Sequence, residues 1–154
     1  MALYVVRHAH AGRRSAWHAP DDQRPLSSKG EKEALGIADQ LEGAGITRLL
    51  SSPAVRCVQT LQPLAERLGR DIETDERLAE GGDVDEVLAL CHELETDAAI
   101  ALCTHGDIVP ELLHRAATDG ARFDQPLTWP KGSTWVFERD GERVVSARFL
   151  PTPT

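Results

Sequence analysis

Basic and imidazole side chains follow three apolar runs of the sequence, each at the point where a strand would end. Arg7 and His8 come directly after the first run, Arg56 follows the second by a few residues, and His105 comes just after the third. The carboxyl ends of neighbouring parallel strands meet at one edge of a sheet, which is where such sheets bind ligands. We therefore expect two guanidinium groups and two imidazoles to surround one point.

The predicted cluster favours a tetrahedral dianion as its ligand. A guanidinium group offers a planar fork of N–H donors that matches the oxygens of a phosphate group. Ser52 and Pro53 are typical of a helix cap and a first helical residue, so backbone N–H groups should face the same edge. The chain has 25 acidic and 17 basic residues and a net charge of -8. Because the molecule as a whole repels anions, a local cationic cluster must hold one.

A zinc site is the competing interpretation of these residues. His8 and His10 are two residues apart and could join His105 as ligands. Arg7 would then place a permanent positive charge beside a dication, and no carboxylate clearly belongs to the set. We therefore expect neither a metal ion nor another cofactor. We interpret the remaining histidines as ordinary loop or core groups: His10, His18, His92 and His114.

Strand and helix signals alternate along the chain that carries these residues. The run 3–6 predicts a buried strand, and Ser28 with Glu31 predicts a capped helix with apolar positions at helical spacing. The run 46–50 predicts a second strand, and a helix follows Ser52. The later predicted elements are a helix capped at Asp83, a strand over 98–103, a helix over 109–117, and strands over 134–138 and 144–150.

The alternation predicts an α/β domain, a three-layer α/β/α sandwich with a mostly parallel sheet covered on both faces. Asp140-Gly141 lies between the last two apolar runs and predicts a hairpin, so we expect an antiparallel edge strand. The length of 154 residues suits one domain, and we expect the range 1–154 to form it.

Composition excludes several classes of protein. Hydrophobic residues make up 41% and charged residues 27%, which is typical of a chain that buries a core. No apolar run approaches the roughly 20 residues that span a membrane, and the N-terminus does not resemble a secretory signal. The acidic balance argues against a nucleic acid polymer as partner. Cys57, Cys91 and Cys103 are expected to be buried reduced thiols, which fits a cytoplasmic protein.

Four segments together resemble one protein family, the histidine phosphatase superfamily, also called phosphoglycerate mutase-like. They are LYVVRHA (3–9), RPLSSKG (24–30), LSSPAVRCVQT (50–60) and THGD (104–107). The segments occur in order along nearly the whole chain, so the resemblance is specific. The chain is most similar to the short branch, which includes SixA-type phosphohistidine phosphatases and the phosphatase domain that follows a Nudix domain in some bacterial hydrolases.

The resemblance implies a role for each residue of the cluster. His8 would be the nucleophile, and Arg7, Arg56 and His105 would form the phosphate pocket. Glu80 is the best match to the proton donor of larger members, with Glu76 as the alternative, although SixA-type members can lack such a carboxylate. The implied activity is removal of a phosphoryl group from a phosphoprotein (phosphohistidine) or a small phosphate ester, through a phosphohistidine intermediate on His8.

Two other functions stay open at this point. A phosphoglycerate mutase would share the pocket, although the short span from Arg56 to His105 leaves little room for a substrate cap. A non-catalytic module that binds a phosphorylated partner would also share it, although it would not need the complete set of four residues. The loop after the nucleophile adds further candidates that could border the pocket: Arg13, Arg14, Trp17 and Arg24. The sequence indicates neither the physiological substrate nor the oligomeric state.

Overall fold

The computed structural model describes every residue from Met1 to Thr154 and contains one seven-stranded sheet with four α-helices. Short 3-10 turns occupy Arg14–Ala16, Asp21–Gln23 and Glu76–Leu78. The strands and helices are, in chain order, β1 (Ala2–Arg7), α1 (Ser28–Leu41), β2 (Ile46–Ser51), α2 (Val55–Leu68), β3 (Ile72–Thr74), α3 (Val84–Glu93), β4 (Ala99–Thr104), α4 (Val109–Thr118), β5 (Arg122–Phe123), β6 (Thr134–Asp140) and β7 (Arg143–Leu150).

The strand order β3-β2-β4-β1-β6-β7-β5 places the three site-bearing strands side by side. Strand β4 pairs in parallel with β1 on one side and with β2 on the other. In these ladders Arg7 is level with Thr104, and Ser51 is level with Cys103. The carboxyl ends of all three strands therefore meet at one edge, as the sequence predicts.

The predicted fold class is confirmed, with one difference in the place of the antiparallel strand. Helices α1 and α2 pack on one face of the sheet, and α3 and α4 pack on the other. Strand β6 is the one that runs opposite to its neighbours, and it lies inside the sheet between β1 and β7. It is not an edge strand, because β1 and β7 pair with it on its two sides. On this side of the sheet the edge strand is the short β5, which pairs with β7 in parallel.

Two apolar clusters fix the central strands from both sides. The larger joins α3 and α4 to the sheet through Leu102, Leu113 and Trp135, among others. The second joins α1 and α2 to the opposite face through residues such as Ile37 and Leu61. Strand β4 is buried along its whole length, which explains its continuous apolar run.

Two helix starts differ from the sequence predictions, and the other two, at Asp83 for α3 and Val109 for α4, agree. Ser27, and not Ser28, caps α1, because its hydroxyl accepts from the Gly30 N–H at 3.1 Å. Helix α2 begins at Val55, two residues after the predicted start, and has no side-chain cap. Asp83 caps α3 by accepting from the Asp85 N–H.

The three cysteines are free thiols. Cys57 and Cys103 are buried as expected, whereas Cys91 is half-buried. None of the helices combines the length and the apolar composition that a crossing of the bilayer requires.

Candidate active site

His8 lies directly after β1 and is held in one orientation. Its side chain is 6% exposed, and its Nδ1–H donates to the Ala9 carbonyl at 2.8 Å. Because a carbonyl only accepts, Nδ1 carries the proton of the neutral ring and Nε2 keeps its lone pair. The backbone is fixed as well, since the His8 N–H donates to Thr104 O at 3.1 Å and the Ala9 N–H to Thr60 Oγ1 at 3.0 Å.

Burial lowers the pKa of His8 to about 3. The hydrogen bond to Ala9 acts in the opposite direction, while electrostatic interactions with His105, Arg56 and Arg7 lower the pKa further. The ring is therefore neutral at pH 7, and its Nε2 lone pair is available to attack an electrophile.

This low pKa makes the stability of the fold depend on pH. As the pH falls below 6.5, the unfolded chain protonates His8 but the folded chain does not until about pH 3. The folded state is thus destabilised across that window. We expect the free energy of unfolding to fall between pH 7 and pH 5 by about 2 kcal/mol more in the wild type than in His8→Gln.

Urea unfolding at the two pH values measures this difference. The matched control is His18→Gln, which replaces an exposed imidazole and should behave as the wild type does. An equal loss of stability in His8→Gln and the wild type would contradict the burial of a neutral His8.

His105 follows β4 and faces the His8 ring, with 5.4 Å between the ring centroids. Its Nε2 lies 2.8 Å from the hydroxyl of Ser52, and its Nδ1 lies 3.4 Å from Nη2 of Arg56. The Ser52 hydroxyl, predicted as a helix cap, instead orients this imidazole. It also accepts from the Ala54 N–H, so the turn before α2 and His105 are fixed together.

Arg7, the last residue of β1, has a free guanidinium face. Nη1 donates to the Trp129 carbonyl at 2.8 Å, and the buried Nε has no partner. The group lies against Gly106, where a Cβ atom would come within 2.5 Å of Nη2. Because Arg7 forms no ion pair, its charge is available to an anion in the cavity.

Arg56, in the first turn of α2, is 2% exposed and is paired with two acids. Nη2 lies 3.0 Å from Glu80 Oε2 and 3.1 Å from Asp21 Oδ2, and Nη1 donates to the Asp21 carbonyl at 2.9 Å. The Thr60 hydroxyl donates to the Arg56 carbonyl, so one side chain links α2 to the turn after His8.

Glu80 connects two arginines at the mouth of the site. Its other oxygen, Oε1, accepts from Arg14 Nη2 at 2.7 Å. Partial burial raises the pKa of Glu80, but the hydrogen bond and charge of Arg14, with the electrostatic effects of His105 and Arg56, outweigh this and lower it. The carboxylate is therefore ionised at pH 7 in this state.

Two adjoining cavities meet at His105 and Glu80. The first, of about 260 Å³, is lined by Arg7, His8, Gly12, Arg14, Arg24, Glu80, His105, Gly106, Asp107 and Lys131. The second, of about 330 Å³, includes Arg56 and Glu76. The structure thus brings Arg7, His8, His105 and Glu80 together in one cavity, while Arg56 reaches them through its contacts with Glu80 and His105.

The loop residues that the sequence left open separate into two groups. Arg14 and Arg24 line the first cavity, whereas Arg13 and Trp17 line neither of the two. Arg24 is 7% exposed and binds the Ala11 carbonyl at 2.8 Å, so it supports the loop from inside.

Sequence reasoning assigned no role to several residues of the site. Lys131 lines the first cavity from a loop between the predicted elements, and Thr60 supports the turn after His8 from α2. Thr60 lies in the segment 50–60, and Gly106 in THGD, so the family resemblance was the available signal for both. Lys131 lies outside every matching segment.

No three side chains of the types His, Cys, Asp and Glu are arranged to hold a metal ion. His10, the possible zinc ligand beside His8, places its Nδ1 2.6 Å from the hydroxyl of Ser27. The zinc interpretation therefore lacks its predicted ligand set.

Comparison with known proteins places this geometry in a family. Residues 3–87 match the family model of the histidine phosphatase superfamily (branch 1). A protein named 8-oxo-(d)GTP phosphatase from Mycolicibacterium smegmatis is 32% identical over 168 residues, which cover 98% of this chain. The match covers 48% of that relative, so the chain spans about half of its length.

Solved structures named SixA have the same fold. A putative phosphohistidine phosphatase SixA from Agrobacterium tumefaciens is 26% identical, with a TM-score of 0.74 and 97% of each chain covered. A protein histidine phosphatase SixA complexed with tungstate is 24% identical, with a TM-score of 0.78 and coverage of 100% of this chain and 97% of that one. The chain therefore belongs to branch 1 of the histidine phosphatase superfamily and has the SixA-type fold.

Proposed function

We propose that the chain is a phosphohydrolase that transfers a phosphoryl group first to Nε2 of His8 and then to water. The observation that carries this proposal is the buried, neutral His8 ring in a cavity lined by cationic groups. Nδ1 is bound to the Ala9 carbonyl, so Nε2 is the atom left for the reaction. The range 1–154 acts as a single domain in this proposal and needs no cofactor.

Arg7, His105 and Arg56 hold the phosphoryl oxygens in the proposed reaction. Arg7 has no acidic partner to displace, whereas Arg56 must exchange its contact with Glu80 for one with the ligand. Positioned cations act where charge is spread over the equatorial oxygens, and loss of one donor typically costs on the order of 10²–10³ in rate.

Glu80 is the proposed proton donor, in preference to Glu76. Glu80 lines the His8 cavity, whereas Glu76 lines only the adjoining one. An arriving dianion brings negative charge close to Glu80 and weakens its contact with Arg56, and both changes raise the pKa of its carboxyl group. A proton bound in this way can pass to the leaving oxygen as the bond to phosphorus breaks, and the carboxylate can then activate water.

The names of the relatives indicate two classes of substrate. The SixA structures are named as phosphohistidine phosphatases, and the 32% identical relative is named for a nucleotide, 8-oxo-(d)GTP. We propose a phosphohistidine protein or a small phosphate compound as substrate. The three free thiols fit a reducing compartment such as the cytoplasm.

Turnover of a labelled panel tests the proposal. The panel contains an aryl phosphate, nucleotides, 3-phosphoglycerate and a phosphohistidine protein, with and without a metal chelator. We expect inorganic phosphate from at least one substrate, an acid-labile label on His8, and a rate that the chelator leaves unchanged.

Three other results would contradict the proposed hydrolase. Binding of phosphate compounds without turnover or labelling would indicate a binding module. Conversion of 3-phosphoglycerate to its isomer would indicate a mutase. A large loss of rate with the chelator would indicate a metal-dependent reaction.

A further inference from the structure

Lys131 is a cation of the His8 cavity that the proposed reaction does not use. It lies in the loop before β6 and is half-buried. The next residue, Gly132, donates its N–H to the carbonyls of Arg7 at 3.1 Å and His8 at 3.0 Å. Lys131 is therefore carried by a backbone segment that is bound directly to the nucleophile and its neighbour.

Further contacts fix the shape of this loop. The Trp129 carbonyl accepts from Arg7 Nη1, and the Lys131 carbonyl accepts from the Thr152 hydroxyl at 2.7 Å. Gly132 has a φ of 80°, and a Cβ atom there would lie 2.9 Å from Thr152 Cγ2. The backbone under Lys131 is thus held from both sides, so the point from which its side chain extends into the cavity is fixed.

Lys131 has no carboxylate within ion-pair distance. Arg14, Arg24 and Arg56 each pair with a carboxylate, whereas Lys131 forms no ion pair. Burial lowers the pKa of Lys131, and the positive charges of Arg7, Arg24 and Arg56 lower it further, while the Glu33 carboxylate acts weakly in the opposite direction. An ammonium group held among like charges is stabilised when an anion enters the cavity.

The cavity has the character of a site for a highly charged ligand. None of its ten lining residues is hydrophobic, and its volume is about 260 Å³. Arg7 and His105 are already assigned to the phosphoryl group that reacts. Lys131 therefore remains as a donor for another group of the same ligand.

We propose that Lys131 binds a second anionic group of the substrate, a phosphate or a carboxylate next to the phosphoryl group that His8 attacks. This inference rests on the proposed function and narrows it to small phosphate compounds with two neighbouring anionic groups. With a diphosphate, the bond from His8 Nε2 to the terminal phosphorus forms as the bond to the bridging oxygen breaks. The leaving monophosphate stays with Lys131, and water then releases phosphate from His8.

Lys131→Gln tests this role through substrate preference. With a nucleoside diphosphate or 3-phosphoglycerate, the loss of a charge-assisted hydrogen bond should lower kcat/KM about 10- to 100-fold. With an aryl monophosphate the change should stay below about 3-fold, because no second anion is present. Lys131→Arg should recover most of the loss. The control Arg13→Gln, at an exposed arginine outside the cavity, should leave kcat/KM unchanged for both kinds of substrate.

The diphosphate and phosphoglycerate measurements separate the two anion chemistries. A loss confined to the diphosphate identifies a phosphate group, and a loss confined to phosphoglycerate identifies a carboxylate. Equal losses with all three substrates, or no loss with any, would overturn the proposal for Lys131 while the phosphohydrolase itself stands. The proposal would also be overturned if the wild type turned over the aryl phosphate but neither the diphosphate nor phosphoglycerate.

Calorimetric titration tests Lys131 without turnover. Lys131→Gln should weaken binding of inorganic pyrophosphate about 10-fold or more, and binding of inorganic phosphate by less than about 3-fold. If the wild type turns over no substrate, the phosphohydrolase proposal fails, and this titration still decides the role of Lys131. Equal binding of pyrophosphate by the two proteins would refute that role.

Discussion

His8→Ala should abolish turnover of an aryl phosphate, with a loss on the order of 10⁴-fold or more and no loss of the fold. The physical reason is that Nε2 of His8 keeps a free lone pair, since Nδ1 donates to the Ala9 carbonyl. The other imidazole, on His105, has Nε2 engaged with Ser52 and Nδ1 next to Arg56. Phosphate release at pH 7 measures the rate, and circular dichroism checks the fold.

His18→Ala is the matched control, because its imidazole is exposed and lies outside the cavity. It should retain the wild-type rate, and it should still take up labelled phosphate. Labelling should disappear in His8→Ala. If His8→Ala kept a rate near that of the wild type, another group would have to be the nucleophile.

Gly106→Ala should lower kcat/KM about 100-fold. The reason is that displacing a positioned cationic donor, here the Arg7 guanidinium group, by about 1 Å typically lowers the rate by about that factor. The new Cβ atom would lie 2.5 Å from Nη2 and 2.6 Å from Cζ of Arg7, so the guanidinium group must move. Gly106 does not have a positive φ, so the alanine backbone itself is not strained there. Steady-state kinetics with an aryl phosphate measures the effect.

A double-mutant cycle shows whether this effect acts through Arg7. Arg7→Met alone should cost on the order of 10²–10³ in rate. In the Arg7→Met background, Gly106→Ala should add less than about 3-fold, because the displaced charge is already absent. Gly43→Ala, where a Cβ atom meets nothing within 4 Å, is the neutral control. If the losses in rate from the two substitutions were fully additive, Gly106→Ala would act through the backbone and not through Arg7.

The meeting of Arg7, His8 and His105 was predictable from the sequence for a simple reason. Arg7 ends a buried strand, and His8 and His105 each follow one directly. Buried parallel strands have continuous apolar runs that are easy to recognise. Neighbouring parallel strands then bring their ends to one edge of the sheet. The sequence did not show which strands are neighbours, and the pairing of β4 with β1 and β2 in the structure establishes this.

Tertiary contacts explain what the sequence did not predict. The Ser52 hydroxyl binds His105, which follows β4, and α2 begins only at Val55 without the side-chain cap that local sequence rules suggest. Lys131 reaches the cavity because β6 pairs with β1, and the hairpin signal alone did not indicate that partner. The pairing of Glu80 with Arg14 and Arg56 joins three separate segments and leaves no periodic signal.

The contact between Glu80 and Arg56 also bears on how a reaction cycle would end. When the phosphate ion departs, the carboxylate can return to Nη2 of Arg56, 3.0 Å away, and neutralise it again. The protein therefore supplies an internal competitor for its own product. In the proposed reaction this competition favours rapid product release and reduces inhibition by free phosphate in the surrounding solution.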